Sequence, residues 1–116
     1  MANPQSSPAP VTEKSDCFLQ ATYSDIYGKG YIPQDVQYRI DDVTNDVEIL
    51  PWTSYTTQAT ADNPSDTIQI PASLNTLQSQ NNSQELRQVI VKVTAPGGAS
   101  RNDPIYYSII NRQGLT

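Results

Sequence analysis

The sequence predicts an all-β, antiparallel sandwich of six or seven short strands, preceded by an extended N-terminal arm. Three observations carry that expectation. Apolar and polar residues alternate with the period of a half-buried strand in several segments. Thr, Val, Ile and Tyr are abundant, whereas stretches rich in helix formers are scarce. Clusters of Asn, Asp, Gly, Ser and Pro separate the alternating segments, as turns and loops require. The chain of 116 residues fits one domain and is long enough to bury a core without covalent staples.

Residues 1–15 carry Pro4, Pro8 and Pro10 among Ser, Gln and Ala. Their apolar surface is too small to offset ordering entropy, so they read as a flexible arm or one ordered on a partner. Extended proline-rich chain would let it reach roughly 40 Å. Residues 16–112 form the sandwich and 113–116 a tail. Cys17 to Tyr23 is the first strand, with Cys17, Leu19, Ala21 and Tyr23 on one face and Phe18, Gln20 and Thr22 on the other. Ser24 to Gln34 is a loop, freed by Gly28 and Gly30 and bounded by Pro33. Lys29 between those glycines lacks the Gly-Lys-Ser/Thr spacing and following helix of a phosphate loop.

Val36, Tyr38 and Ile40 alternate with Gln37, Arg39 and Asp41. Val47 and Ile49 resume the pattern after the turn at Thr44-Asn45-Asp46, so 36–52 reads as a hairpin around which the other strands pack. Trp52, the only tryptophan, is expected to bury its ring in the core. Pro51 marks an edge, a bulge or a crossing between sheets. A long polar loop from Thr56 to Ser65 precedes the short strand Asp66 to Ile70. Pro71 to Leu77 suits one helical turn with Leu74 and Leu77 on one side, and Gln78 to Gln84 is a loop. Asn81-Asn82-Ser83 matches a glycosylation acceptor only nominally.

In the strand Glu85 to Ala95, Val89, Val91 and Val93 face inward while Arg87 and Lys92 keep the outer face wet. A flexible loop over 96–104 leads to the last strand, Ile105 to Ile110, which should pair antiparallel with its predecessor. Tyr106 and Tyr107 then point to opposite faces.

Composition narrows the functional classes. The formal net charge is -5, from 12 acidic and 7 basic residues, and the cations are scattered. Nucleic acid and anionic membranes, which need clustered Lys and Arg, are therefore not expected partners. No apolar run reaches the length of a transmembrane helix, and the first residues lack the pattern of a signal peptide, so manufacture and use without export are expected. A single cysteine permits no internal disulfide, and Cys17 reads as a small buried hydrophobe. The chain has no histidine, so neither a zinc site nor a histidine-activated Ser or Cys is expected. Asp41, Asp42, Asn45 and Asp46 offer oxygens to calcium, but lack the glycine and distal glutamate of a calcium-binding loop and are explained as turn residues. Asp62 and Asp66 lie in a similar context. No cofactor, metal or catalytic residue is assigned, and an enzyme is not expected. Seven tyrosines are many for this length, and binding by surface is the function that remains. The candidate partner-binding residues are Pro4, Pro8 and Pro10 of the arm together with Tyr27, Tyr31 and Arg101 of the loops.

The segments Tyr38-Arg39-Ile40-Asp41-Asp42-Val43-Thr44 and Glu48-Ile49-Leu50-Pro51-Trp52-Thr53-Ser54 resemble small immunoglobulin-like or fibronectin type III-like virion structural proteins of tailed bacteriophages. Val89-Ile90-Val91-Lys92-Val93 and Tyr106-Tyr107-Ser108-Ile109-Ile110-Asn111 fit the same outline, over roughly 17–112. The resemblance implies a non-enzymatic capsid decoration or cement protein. It would be assembled in the host cytoplasm and bind the major capsid protein, other virion proteins or itself on the capsid surface. A neck, tail or fibre accessory protein is one alternative. An adhesin-like module binding host carbohydrate or protein through Tyr27, Tyr31 and the 96–104 loop is another.

Overall fold

The computed structural model describes residues 2–4 and 10–111. Its strands are β1 (Ala2–Pro4), β2 (Val11–Thr12), β3 (Cys17–Tyr23), β4 (Asp35–Asp42), β5 (Val47–Tyr55), β6 (Ser65–Ile70), β7 (Gln84–Thr94) and β8 (Ser100–Ile110). They form a three-stranded sheet, β1-β3-β6, and a five-stranded sheet, β2-β8-β7-β4-β5. Every strand pair is antiparallel except β2 with β8. The protein is thus predominantly β, with two layers around one core.

The alternation in the sequence decides which side chains fill that core. Cys17, Leu19, Ala21 and Tyr23 of β3 are buried, with Ile68 and Ile70 of β6 on the same layer. Val36 and Ile40 of β4, Val89, Val91 and Val93 of β7, and Ile105, Tyr107 and Ile109 of β8 face them from the other. Each such aliphatic side chain contributes about 1.5–3 kcal/mol by leaving water. Tyr106 is on the outer face and Tyr107 in the core, as a strand demands. Pro71 starts a 3-10 turn at Ala72–Leu74, and Leu77 tucks under the sandwich.

Several expectations are corrected. The 36–52 hairpin is not central: β7 holds the middle of its sheet and β5 the edge. Trp52 is not in the core but 41% exposed, with the Arg39 guanidinium 5.9 Å from its ring. The cause is the register. Tyr38 pairs with Thr53 and Ile40 with Leu50, so Pro51 and Trp52 together oppose Arg39. That bulge turns Trp52 outward. Arg87 does not wet the outer face; it is fully buried, because it shares the parity of Val89 and finds partners inside. The loop at 96–104 shrinks to a tight hairpin. The Ala95 N–H donates to Ala99 O and the Gly98 N–H to Ala95 O, while Gly97 and Gly98 take positive φ. β8 therefore begins at Ser100 and runs through Pro104, on a flank where β2 pairs only with Ile109 and Ile110.

Where the sequence reads as a loose arm, Ala2–Pro4 pairs with β3 and Val11–Thr12 with β8. Glu13 is buried, and its N–H donates to Ile110 O. Pro8 and the 113–116 tail lie outside the described residues.

Candidate docking surface

The two ends of the sandwich are built differently. One end is closed by buried polar groups. Arg87 donates through Nε to Asp42 Oδ2 (2.9 Å) and through its Nη atoms to Leu74 O (2.9 Å) and Thr76 O (2.7 Å). Its Nη2 lies 3.6 Å from Glu85 Oε1. The Glu85 carboxylate in turn accepts from the N–H groups of Gln78 and Ser79 and from Asn82 Nδ2. Burial pushes the Glu85 carboxyl upward, but those donors outweigh burial and hold it down, to about 2. Tyr107 Oη donates to Asn75 Oδ1, Asn75 Nδ2 donates to Ser15 O, and Asn111 Nδ2 reaches Gln80 O and Asn82 O. The polar 78–83 loop is thus a wrapping for one buried carboxylate.

The Asp41–Asp46 turn belongs to the same end, and its acidic groups diverge. Asp41 binds Arg39 on the outer face, whereas Asp42 points inward to Arg87 and accepts from the Asn45 N–H. Among the described residues, no three His, Cys, Asp or Glu side chains converge as metal ligands would. Asp66 is likewise committed inside, accepting from Tyr23 Oη, Thr57 Oγ1 and the Gln58 N–H. Burial first, then the bond to Asp66, push the Tyr23 hydroxyl far above its ordinary range. Burial also pushes the Cys17 thiol up, in keeping with a core role.

At the other end the β3–β4 loop and the β7–β8 hairpin stand side by side. The loop is closed by the Asp25 N–H to Lys29 O bond and by Ser24 bridging Gly30. Asp25 Oδ1 accepts from the Tyr27 and Lys29 N–H groups, which hold its carboxyl below the usual range, the Lys29 bond first. Gly28 turns the chain at φ +81°, and at Gly30 a Cβ would sit 2.5 Å from the Pro64 ring, so only glycine fits unstrained. This tight loop lifts Ile26 and Tyr27 into solvent, 81% and 88% exposed.

Beneath them runs a groove of about 730 Å³, lined by Ile26, Lys29 and Tyr31 from the loop and by Val93, Pro96 and Arg101 from the hairpin. Tyr31 is half buried, its ring tilted over Tyr23 with centroids 6.1 Å apart; burial pushes its hydroxyl up. Arg101 Nε donates to Asp103 Oδ1 at 2.9 Å. Among the described residues, Asp103 Oδ2 is buried without a partner.

Of the residues singled out from sequence, Tyr31 and Arg101 line this groove, and Tyr27 shares the β3–β4 loop with Tyr31 without lining it. Pro4 pairs with Ala21 on the three-stranded sheet, and Pro10 precedes β2 near the Ile109 end of β8, away from Arg101. Sequence reasoning missed Ile26, Lys29, Val93 and Ala95 as contact residues, while Pro96 falls in the 96–104 loop named for the adhesin-like alternative. A bulky aliphatic residue next to Tyr27 in a glycine loop was the available signal. A second depression of about 470 Å³ lies by Arg39, Asp41, Asp46 and Glu48. Its one cation already bonds to Asp41 and Glu48.

Among the described residues, no helix is long and apolar enough to cross a membrane. Compared with protein-family models and with curated proteins, the chain matches none.

Proposed function

We propose that this chain is a non-enzymatic virion structural protein with an immunoglobulin-like sandwich, a capsid decoration module that docks on the outer surface of a head shell through its open loop end. Strand order supports the finer fold reading. β8-β7-β4-β5 follows the order of the immunoglobulin sheet with its added edge strand, and β1-β3-β6 follows its partner sheet. The observation that carries the functional reading is the exposure of Ile26, which lines a largely apolar groove, and of its neighbour Tyr27. A folded domain gains nothing in stability from such residues, whereas a protein interface is enriched in them. The closed end supplies a rigid mount, and many copies on a symmetric shell would add weak contacts through multivalency.

The test is the copy number of this chain in purified particles relative to the major shell protein. A simple fraction of the shell count is expected. A handful of copies would replace decoration by a neck, tail or fibre role, and absence from particles would overturn the virion reading. The exposure of Tyr27 near Tyr31 supports a second reading, an adhesin-like module gripping a host-surface carbohydrate or protein with Tyr27, Tyr31 and the 96–104 loop. Under that reading Tyr27→Ala or Tyr31→Ala abolishes cell attachment while incorporation persists; unchanged attachment would eliminate it.

A further inference from the structure

We propose that the groove between the β3–β4 loop and the β7–β8 hairpin takes an acidic, apolar protein segment: a bulky aliphatic or aromatic side chain against Val93, Pro96 and Tyr31, with a neighbouring carboxylate on Lys29 and Arg101. This rests on the reading that the open end is a docking surface, and it names the chemistry of the partner. The walls are the first reason. Ile26, Val93, Ala95, Pro96 and Ala99 are aliphatic, and Tyr31 is the one aromatic ring on the lining. A sugar wants flat rings and many hydrogen-bonding groups, whereas these walls suit an apolar side chain.

Charge is the second reason. In a chain of net charge -5, two of the seven cations line this one groove. Among the described residues the Lys29 ammonium makes no hydrogen bond or ion pair, and Arg101 uses only Nε, leaving both Nη groups for an incoming anion. Asp25 also lines the groove and lies within electrostatic reach of Lys29, but its Oδ1 is taken by two backbone N–H groups. Asp103, the partner of Arg101 Nε, is buried, so the two cations outnumber the one carboxylate on the lining. The depression at Arg39 shows the contrast, since its cation is already paired with two carboxylates through Nε and Nη2. An arginine with spare Nη donors matches a carboxylate in shape and charge.

The test is selection of displayed random peptides, about a dozen residues long, on the immobilised full chain, followed by solution affinities of the selected peptides. Enrichment of Asp or Glu beside Leu, Ile or Phe is expected. The double variant Lys29→Ala with Arg101→Ala should lose about tenfold in affinity, as two exposed charge pairs warrant, and the loss should shrink at high salt. Arg101 is the partner of the buried Asp103, so the double variant should melt lower, and its binding is measured well below that melting temperature. Lys29→Ala alone, at an exposed residue, should keep the melting temperature and still lose about threefold in affinity. Selected peptides without acidic residues, equal binding by the variant, or no selected peptide at all would overturn the proposal. So would a sulfated or sialylated glycan that binds where peptides do not and is lost in the variant. Particle copy number is measured without reference to the groove, so either result can fail while the other stands.

Discussion

The two ends of this sandwich use polar groups in opposite ways. At the closed end Arg87, Asp42, Glu85, Asn75 and Asn111 are buried, and each is bonded into the loops that seal the core. At the open end the polar groups of the β3–β4 loop bond mostly to that loop itself, while Ile26 and Tyr27 face water. A buried polar network fixes one arrangement, because any missing partner leaves a desolvated group unpaired. A self-contained loop can carry exposed apolar residues without involving the core. Stability and docking are therefore separable, and substitutions at the two ends should report on different quantities.

The largest effect is expected at Arg87. Arg87→Ala leaves Asp42 and Glu85 as buried charges and two carbonyls without donors, and should cost about 3–5 kcal/mol in urea unfolding. A loss under about 1 kcal/mol would mean that the closed end does not carry the fold. Acid probes the same end. The Glu85 carboxyl is held lower in the folded protein, about 2, than its unfolded value of about 4.3. Its contribution is thus complete above about pH 5 and disappears as pH falls through 4 toward 2. Glu85→Gln should flatten that portion of the stability profile; an identical profile would place the acid sensitivity elsewhere. Tyr107→Phe removes the donor to Asn75 Oδ1 and should cost about 1–3 kcal/mol by the same assay. The smallest change is expected at the open end. Ile26→Ser with Tyr27→Ser should alter stability by no more than about 0.5 kcal/mol, yet reduce retention on particles at least several-fold. A large loss of stability in that variant would erase the distinction between the ends.

The sequence made the core strands readable and left the ends obscure. Val89, Val91 and Val93 reveal their face because apolar type and parity agree. At Arg87 they conflict: parity places it inside and charge places it outside. Parity prevails because Asp42, Glu85 and the Leu74 and Thr76 carbonyls converge on it, mostly from distant points in the chain. Trp52 misleads because a bulge shifts the register, and a bulge has no period to detect. The start of β8 is hidden under Asn102, Asp103 and Pro104, residues typical of loops. Tyr27, Tyr31 and Arg101 were legible as contact types, but the groove joins Lys29 of the β3–β4 loop to Arg101 at the start of β8, a juxtaposition that only the sheet order creates.

Amide hydrogen exchange on the chain, free and bound to shell particles, tests the division between the two ends most directly. Binding should slow exchange in residues 25–31 and 95–101 and leave 74–87 unchanged. Protection that falls on 74–87, or on the outer face around Trp52, with none at the loop end, would contradict it.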